Sequence, residues 1–208
     1  MLYQKSLENI VNRQDKKQQT RETILNSASR LFQEQGFTNV STRQIAKDSG
    51  VGVGTVFAHF KDKQALTTAL FHNKIDGLLL LHLQRCGQEK TGLSYFLRFA
   101  QFFYDFYEED RAFSIALLQN ALFDVTFFQQ QMDLFITQVA NKLQNELPKH
   151  SEQQRFNIAK AWFGFYMFHL LSGLKQNELS AKQWLATLKV DCAVLLTSTV
   201  AAQHNLLK

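Results

Sequence analysis

Apolar residues along this chain recur at three- and four-residue intervals, and alternation of period two is thin. That spacing predicts helices almost throughout. Ile24, Ala28, Leu31 and Phe32 form one stripe, predicting a helix from near Thr20 to Gln35 that Gly36 ends. Ser41 with Gln44 has the form of a capping box, and Ile45 and Ala46 then give a short apolar face closed at Gly50. A second short helix follows with Val53, Val56, Phe57 and Phe60, and a fourth is expected from Asp62 towards Arg85. After a break over residues 88–92, Phe96, Phe99, Phe103 and Phe106 repeat at helical spacing. Helices are expected over residues 93–108, 111–122 and 126–146, the last stopped by Pro148. Ser151 with Gln154 and Ser180 with Gln183 repeat the capping-box pattern, opening helices to about Lys175 and Ala202. The fold class read from this pattern is all-α, with about nine helices: a small amino-terminal helix-turn-helix domain joined to a larger helical one.

Charge sharpens the division. Residues 1–64 hold 10 Lys/Arg against 6 Asp/Glu, while residues 65–208 hold 13 against 12, so most of the net +5 sits on the first segment. A basic surplus there suits a surface that meets phosphates. Two short helices around a glycine turn, as over Ser41–Lys63, are the form of a helix-turn-helix, whose second helix enters the DNA major groove. Residues 1–19 read as a flexible arm in which Arg13, Lys16 and Lys17 are the basic cluster; a solvated tail is favoured over a minor-groove contact. The expected boundaries are 1–19 for the arm, 20–65 for the DNA-binding domain and 66–208 for the remainder.

The run STRQIAKDSGVGVGTVFAHFKDK (Ser41–Lys63), with Thr20–Phe37 before it and Lys63–Leu70 after it, resembles the DNA-binding domain of TetR-type (TetR/AcrR) regulators over about fifty consecutive residues. The resemblance implies DNA contact from Thr42 and Arg43 at the start of the second helix. Arg43 is the best candidate for base reading, because guanidinium matches guanine O6 and N7 in a two-point bond. Family members often read Ser-Lys/Pro-Gly-Thr-Leu-Tyr where this chain has Gly52-Val53-Gly54-Thr55-Val56-Phe57. Gly54, Thr55 and His59 keep the pattern. Gly52, Val53 and Phe57 depart from it and lower the hydrogen-bonding capacity of the groove face. Backbone N–H groups of Gly52–Gly54 can still hold a phosphate, and Val53 can touch a thymine methyl. Lys63 matches a family phosphate contact. Packing is the preferred reading of Val56 and Phe60.

The larger domain is aromatic. Ten of the nineteen phenylalanines lie between Tyr95 and Phe135, and Ala161–Leu174 carries no charged residue. A helix apolar on all sides needs cover on all sides, from its own core and from a second subunit. The resemblance implies the same, a homodimer formed through the last two helices. The expected interface is Ala161, Gly164, Phe165, Phe168, Val190, Val194 and Thr197. Most of the phenylalanines are core, but Phe99, Phe103, Phe123, Phe127, Phe163 and Tyr166, with Gln119 and His169 as polar groups, are candidates to line an effector cavity.

Catalysis finds no support. The six histidines are scattered, and no HExxH, phosphate-binding loop or dinucleotide fingerprint occurs. His72 and His82 could share a helix face, yet two histidines do not make a metal site, and no cofactor is expected. Cys86 and Cys192 read as free thiols. No signal-peptide pattern and no apolar run of spanning length are expected, and Gly77–Leu81 is too short. The reading is a cytoplasmic, homodimeric regulator of palindromic DNA, released by a small apolar or aromatic effector. Its rivals are an all-α ligand-binding or enzymatic domain with a vestigial helix-turn-helix, and a protein-interaction module.

Overall fold

The structure, a computed structural model, describes residues 2–86, 88–121 and 125–206, without the side chains of 2–11, 83, 86, 120–121, 125–131 and 202–206. Among the described residues there are nine α-helices and no strand. They are α1 (Leu2–Gln35), α2 (Thr42–Asp48), α3 (Val53–His59), α4 (Lys63–Cys86), α5 (Gly92–Glu109), α6 (Arg111–Ala121), α7 (Val125–Lys142), α8 (Glu152–Lys175) and α9 (Ala181–Leu206). The chain divides into two compact units, Met1–Lys74 and Ile75–Lys208, so the division falls inside α4 rather than at residue 65.

In the first unit, the expected stripe is the core. Ile24, Ala28, Leu31 and Phe32 are buried with Val40, Ile45, Val56, Phe60 and Leu66. Gly36, at φ 78°, ends α1 and donates its N–H to the Phe32 carbonyl at 2.9 Å. The segment expected as a flexible arm is instead the first half of α1, which begins at Leu2. Its residues are strong helix formers, and no Gly or Pro interrupts them before Gly36, so nothing in the chain stops the helix.

The second unit is built on aromatic side chains. From α5, Tyr95, Phe96, Phe99, Phe103 and Tyr104 are buried, with Phe135 of α7, Trp162 and Tyr166 of α8 and Trp184 of α9. Burial of this size is the dominant stabilising term, each large apolar side chain contributing about 1.5–3 kcal/mol. The Tyr104 hydroxyl donates to the Tyr166 carbonyl at 2.9 Å, so its polar end is satisfied inside the core. Where α8 meets α9, a Cβ on Gly173 would stand 2.2 Å from the Trp184 ring, so only glycine permits that approach. Arg111 stacks on Trp184 and donates to the carbonyls of Gly173, Gln176 and Leu179, closing the carboxyl-terminal end of α8.

Helix α7 stops at Lys142, four residues short of expectation, and a 3-10 turn covers Leu143–Asn145. Glu146 is then free to accept from the Gly92 and Leu93 N–H groups at 2.5 and 3.5 Å, placing a carboxylate at the positive end of α5.

The uncharged stretch of α8 is covered on one side only. Trp162, Tyr166 and Leu170 are buried, but Phe168 is 66% exposed and Leu171 40%. Helix α9 repeats this, with Trp184, Leu188 and Cys192 buried and Val190, Val194 and Val200 exposed. Its span Ala181–Ala201, mean hydropathy 1.4, is long and apolar enough to cross a membrane, which corrects the expectation that no run reaches that length. The run escapes a search for unbroken apolar residues because Lys182, Lys189 and Asp191 interrupt it.

Candidate functional site

The helix-turn-helix is held by local chemistry that the sequence spells out. At the start of α2, the Gln44 N–H donates to the Ser41 hydroxyl, and the Ser41 N–H donates to the Gln44 side chain at 2.8 Å, a complete capping box. At its end, Gly50 takes φ 70°; its N–H reaches the Lys47 carbonyl while that of Val51 reaches the Ala46 carbonyl at 3.1 Å. Those two bonds are the Schellman pattern, which turns the chain sharply into α3. Helix α3 opens at Gly52 with no side-chain cap.

Three cations tie the elements of the unit together. Arg21 of α1 donates to the His59 carbonyl at 3.3 Å and stacks on Phe60, with 4.3 Å to the ring centre. Arg30 pairs with Asp48 of α2 and with Glu34, and the guanidinium, aided by Ser27, holds the Asp48 carboxyl below its usual range. Lys63 donates to the Phe37 carbonyl at 2.5 Å and lies 4.2 Å from the Phe37 ring centre. Burial pushes its ammonium pKa down.

The expected DNA-facing residues therefore separate. Arg43, Gly52, Val53, Gly54 and Phe57 are exposed, with Phe57 at 48%. Val53 and Phe57 stand four apart on α3 and share a face, about a quarter-turn round the helix from the buried Val56. Thr42, Thr55 and His59 are half-buried. Burial lowers the His59 pKa, reinforced by Lys17 and Arg21, so its ring is neutral at pH 7. Lys63, expected as a phosphate contact, directs its ammonium to the internal Phe37 carbonyl. A polar cleft of about 470 Å³ runs between α1 and α3, lined by Gln14, Asp15, Lys17, Gln18, Arg21, Ala58 and His59. Of the arm's basic cluster, Lys17 lies there. Arg21 was missed because an Arg outside a motif gives no signal of its partner.

The expected effector residues do not form one cavity. Phe99, Phe103 and Tyr166 are packed into the core, Phe99 stacking on Phe135, and Gln119 is exposed. Phe163 is half-buried, 5.4 Å from the Tyr166 ring. His169, only 15% exposed, donates to Asp191 of α9 at 2.7 Å. Phe123 and the side chain of Phe127 lie outside the described residues. Within the second unit a cleft of about 170 Å³ lies instead between α4, α5 and α7, lined by Asp76, Leu79, Leu80, His82, Tyr95, Leu134, Phe135 and Gln138. Its one sequence signal is on α4, where Ile75, Leu79 and His82 share a stripe and a histidine takes an apolar position.

The expected interface residues lie on α8 and α9. Gly164, Phe168, Val190, Val194 and Thr197 are exposed, and Ala161 and Phe165 are half-buried. Among the described residues no group of three or more His, Cys, Asp or Glu is placed to hold a metal ion.

Residues 24–70, which contain the capping box, the Gly50 turn and α3, match the family model for bacterial regulatory proteins of the tetR family. That segment is of the TetR type. An HTH-type transcriptional regulator of Staphylococcus aureus strain USA300 is 33% identical over 95 residues, which are 42% of this chain and 50% of that protein. The chain thus spans about half the length of the curated relatives it matches. A TetR transcriptional regulator from Rhodococcus sp. RHA1 superposes with a TM-score of 0.62 at 18% identity, over 88% of this chain and 98% of that one. Thermus thermophilus FadR, a TetR-family transcriptional repressor solved with lauroyl-CoA, gives 0.66 at 16% identity, over 85% and 93%. RolR, solved with resorcinol, gives 0.65 at 17% identity, over 84% and 88%. At such low identity these structures establish the shared TetR fold. The curated relatives of this stretch are named as HTH-type transcriptional regulators.

Proposed function

We propose that this TetR-type chain is a ligand-responsive repressor acting in the cytoplasm, which binds a palindromic operator as a homodimer and leaves it when a small apolar or aromatic effector binds. The observation that carries this reading is the outward face of α2 and α3: Arg43, Val53 and Phe57 project from a helix-turn-helix whose capping box and Schellman turn hold its angle. Residues Met1–Lys74 would be the DNA-binding part and Ile75–Lys208 the effector and dimer part. Arg43 reads a base edge, Val53 and Phe57 make apolar contacts such as a thymine methyl, and Thr42, Thr55 and His59 stand beside them. Lys17, at the polar cleft, supplies positive charge for backbone phosphates.

Dimerisation supplies two such heads, one per half-site, about 34–36 Å apart. The bare face of α8 and α9, with Gly164, Phe168, Val190 and Val194, is the surface a second copy would cover. That cover also accounts for the apolar character of α9 without a membrane. Effector binding must favour one state of the second unit over another, and the coupling runs both ways: operator DNA weakens the effector by the same factor.

The test is direct. Enrichment of random duplexes on the purified chain should yield a palindrome, and its affinity should fall steeply with salt, as phosphate contacts require. Duplex binding that is absent, or indifferent to salt, would leave the helix-turn-helix as scaffold only. Sedimentation at micromolar concentration should give a dimer; a clean monomer sinks the two-headed mechanism.

A further inference from the structure

The cleft between α4, α5 and α7 poses a chemical question at its floor. His82 has no exposed surface, and neither of its ring nitrogens has a hydrogen-bond partner. It sits instead among aromatic rings: Tyr95 at 4.6 Å, Phe99 at 5.6 Å, Phe135 at 6.0 Å and Phe102 at 6.3 Å between ring centres. Burial of a polar ring without a partner is costly, and native proteins rarely leave one so without a purpose. The cleft above it is walled by Leu79, Tyr95 and Phe135 and mouthed by Leu80 and Leu134, which are 58% and 56% exposed.

Size and charge narrow what fits. The volume of about 170 Å³ is close to the roughly 150 Å³ at which an apolar cavity holds a benzene ring. Aromatic walls favour a flat ring over a flexible chain. An anion is disfavoured, because Asp76 lines the cleft and the cations whose charge bears on His82 are engaged elsewhere. Lys142 donates to the Glu89 carbonyl at 3.0 Å and lies over the Tyr95 ring, and Arg98 faces Glu89 at 3.7 Å. Gln138 is already occupied, accepting from the Tyr95 hydroxyl at 2.7 Å. Of the residues lining the cleft, His82 is the one buried with no hydrogen-bond partner at either ring nitrogen.

We propose that this cleft binds a neutral single-ring aromatic molecule bearing a hydroxyl group, whose hydrogen bond His82 completes. The inference deepens the effector reading above and takes its regulatory meaning from it, while the site itself stands on the cleft and the histidine. A neutral imidazole offers one acceptor and one donor, so it can take the hydroxyl proton or give its own to the hydroxyl oxygen. Burial pushes the His82 pKa down to about 4, which keeps the ring in that neutral form at pH 7.

The experiment is calorimetric titration of the full chain with phenol, benzene and benzoate. Phenol should bind saturably, benzene about tenfold more weakly for want of the hydroxyl, and benzoate not at all. In His82→Phe the preference for phenol over benzene should vanish. Leu134→Trp, a change at an exposed rim position that leaves the core intact, should fill the mouth and abolish phenol binding while thermal unfolding stays as in the wild type. It decides the matter even where His82→Phe fails to fold. Equal affinity for phenol and benzene, a phenol preference kept in His82→Phe, full phenol binding in Leu134→Trp, or no saturable binding of any ring would each overturn the site. Phenol that binds as described yet leaves operator affinity unchanged would overturn the regulatory reading and leave the site standing.

Discussion

The two units treat their polar and apolar groups in opposite ways. In Met1–Lys74 the structural cations have internal partners: Arg21 on the His59 carbonyl, Arg30 on Asp48, Lys63 on the Phe37 carbonyl. What is left outward on α2 and α3 is a small set of side chains around Arg43 and Phe57. In Ile75–Lys208 a histidine is buried with no partner, and a broad apolar face on α8 and α9 is bare. The first unit offers a surface. The second offers a cleft that fits a small polar group and a face that fits a large apolar surface.

The strongest way to break this contrast is to place a charge on each exposed aromatic. Phe168→Glu should convert a dimer to monomers, because a carboxylate buried unpaired in an interface costs on the order of 3–5 kcal/mol. Phe57→Glu should leave the assembly state untouched and remove only DNA binding. Sedimentation velocity separates the two; dimers surviving in Phe168→Glu would mean that α8 and α9 face something else.

The next effect lies at His82. Burial, with Arg98 and Lys142, outweighs Glu89 and lowers its folded pKa to about 4, from about 6.5 in the unfolded chain. The unfolded state then binds the proton first, so stability is fully present above pH 6.5 and is lost as pH falls from 6.5 to 4. The loss at pH 4 is on the order of 3 kcal/mol. His82→Phe should flatten that limb of a denaturation series taken against pH. A slope no different from wild type would mean the ring is already solvated.

Smaller effects sharpen the first unit. Arg43→Ala should weaken the selected operator by about 1–3 kcal/mol and relax preference at one base pair. An equal loss on every sequence would reduce Arg43 to a phosphate contact. Lys63→Ala should lower stability by about 1–2 kcal/mol through its lost charge-assisted bond, with no change in the salt slope of DNA binding. A shallower slope would return Lys63 to the DNA surface.

Much of the fold was legible because it is local. The capping boxes at Ser41/Gln44, Ser151/Gln154 and Ser180/Gln183 are all formed, and each opens a helix where its spacing predicts. The Phe96, Phe99 and Phe103 stripe is buried as its period requires. Termini set by absence were harder: the start of α1 has no stop signal before Leu2, and α7 ends early because Glu146 is drawn to the start of α5. The DNA-facing set was partly legible, since exposure of Arg43, Val53 and Phe57 follows from helix phase. Lys63 was not, because its partner lies 26 residues away on a carbonyl that no motif marks. The cleft was least legible. His82, Tyr95 and Leu134 meet only once three helices pack, and sequence reasoning chose the phenylalanines of α5 that those helices bury.

Helix α4 carries one more consequence, which is mechanical. Asp76, Leu79, Leu80 and His82 of the cleft all stand on it, within two turns. A continuous helix puts no loop between them, so that wall cannot yield at one residue alone. A ring wedged beside His82 would therefore move this stretch of α4 as one piece against α5 and α7.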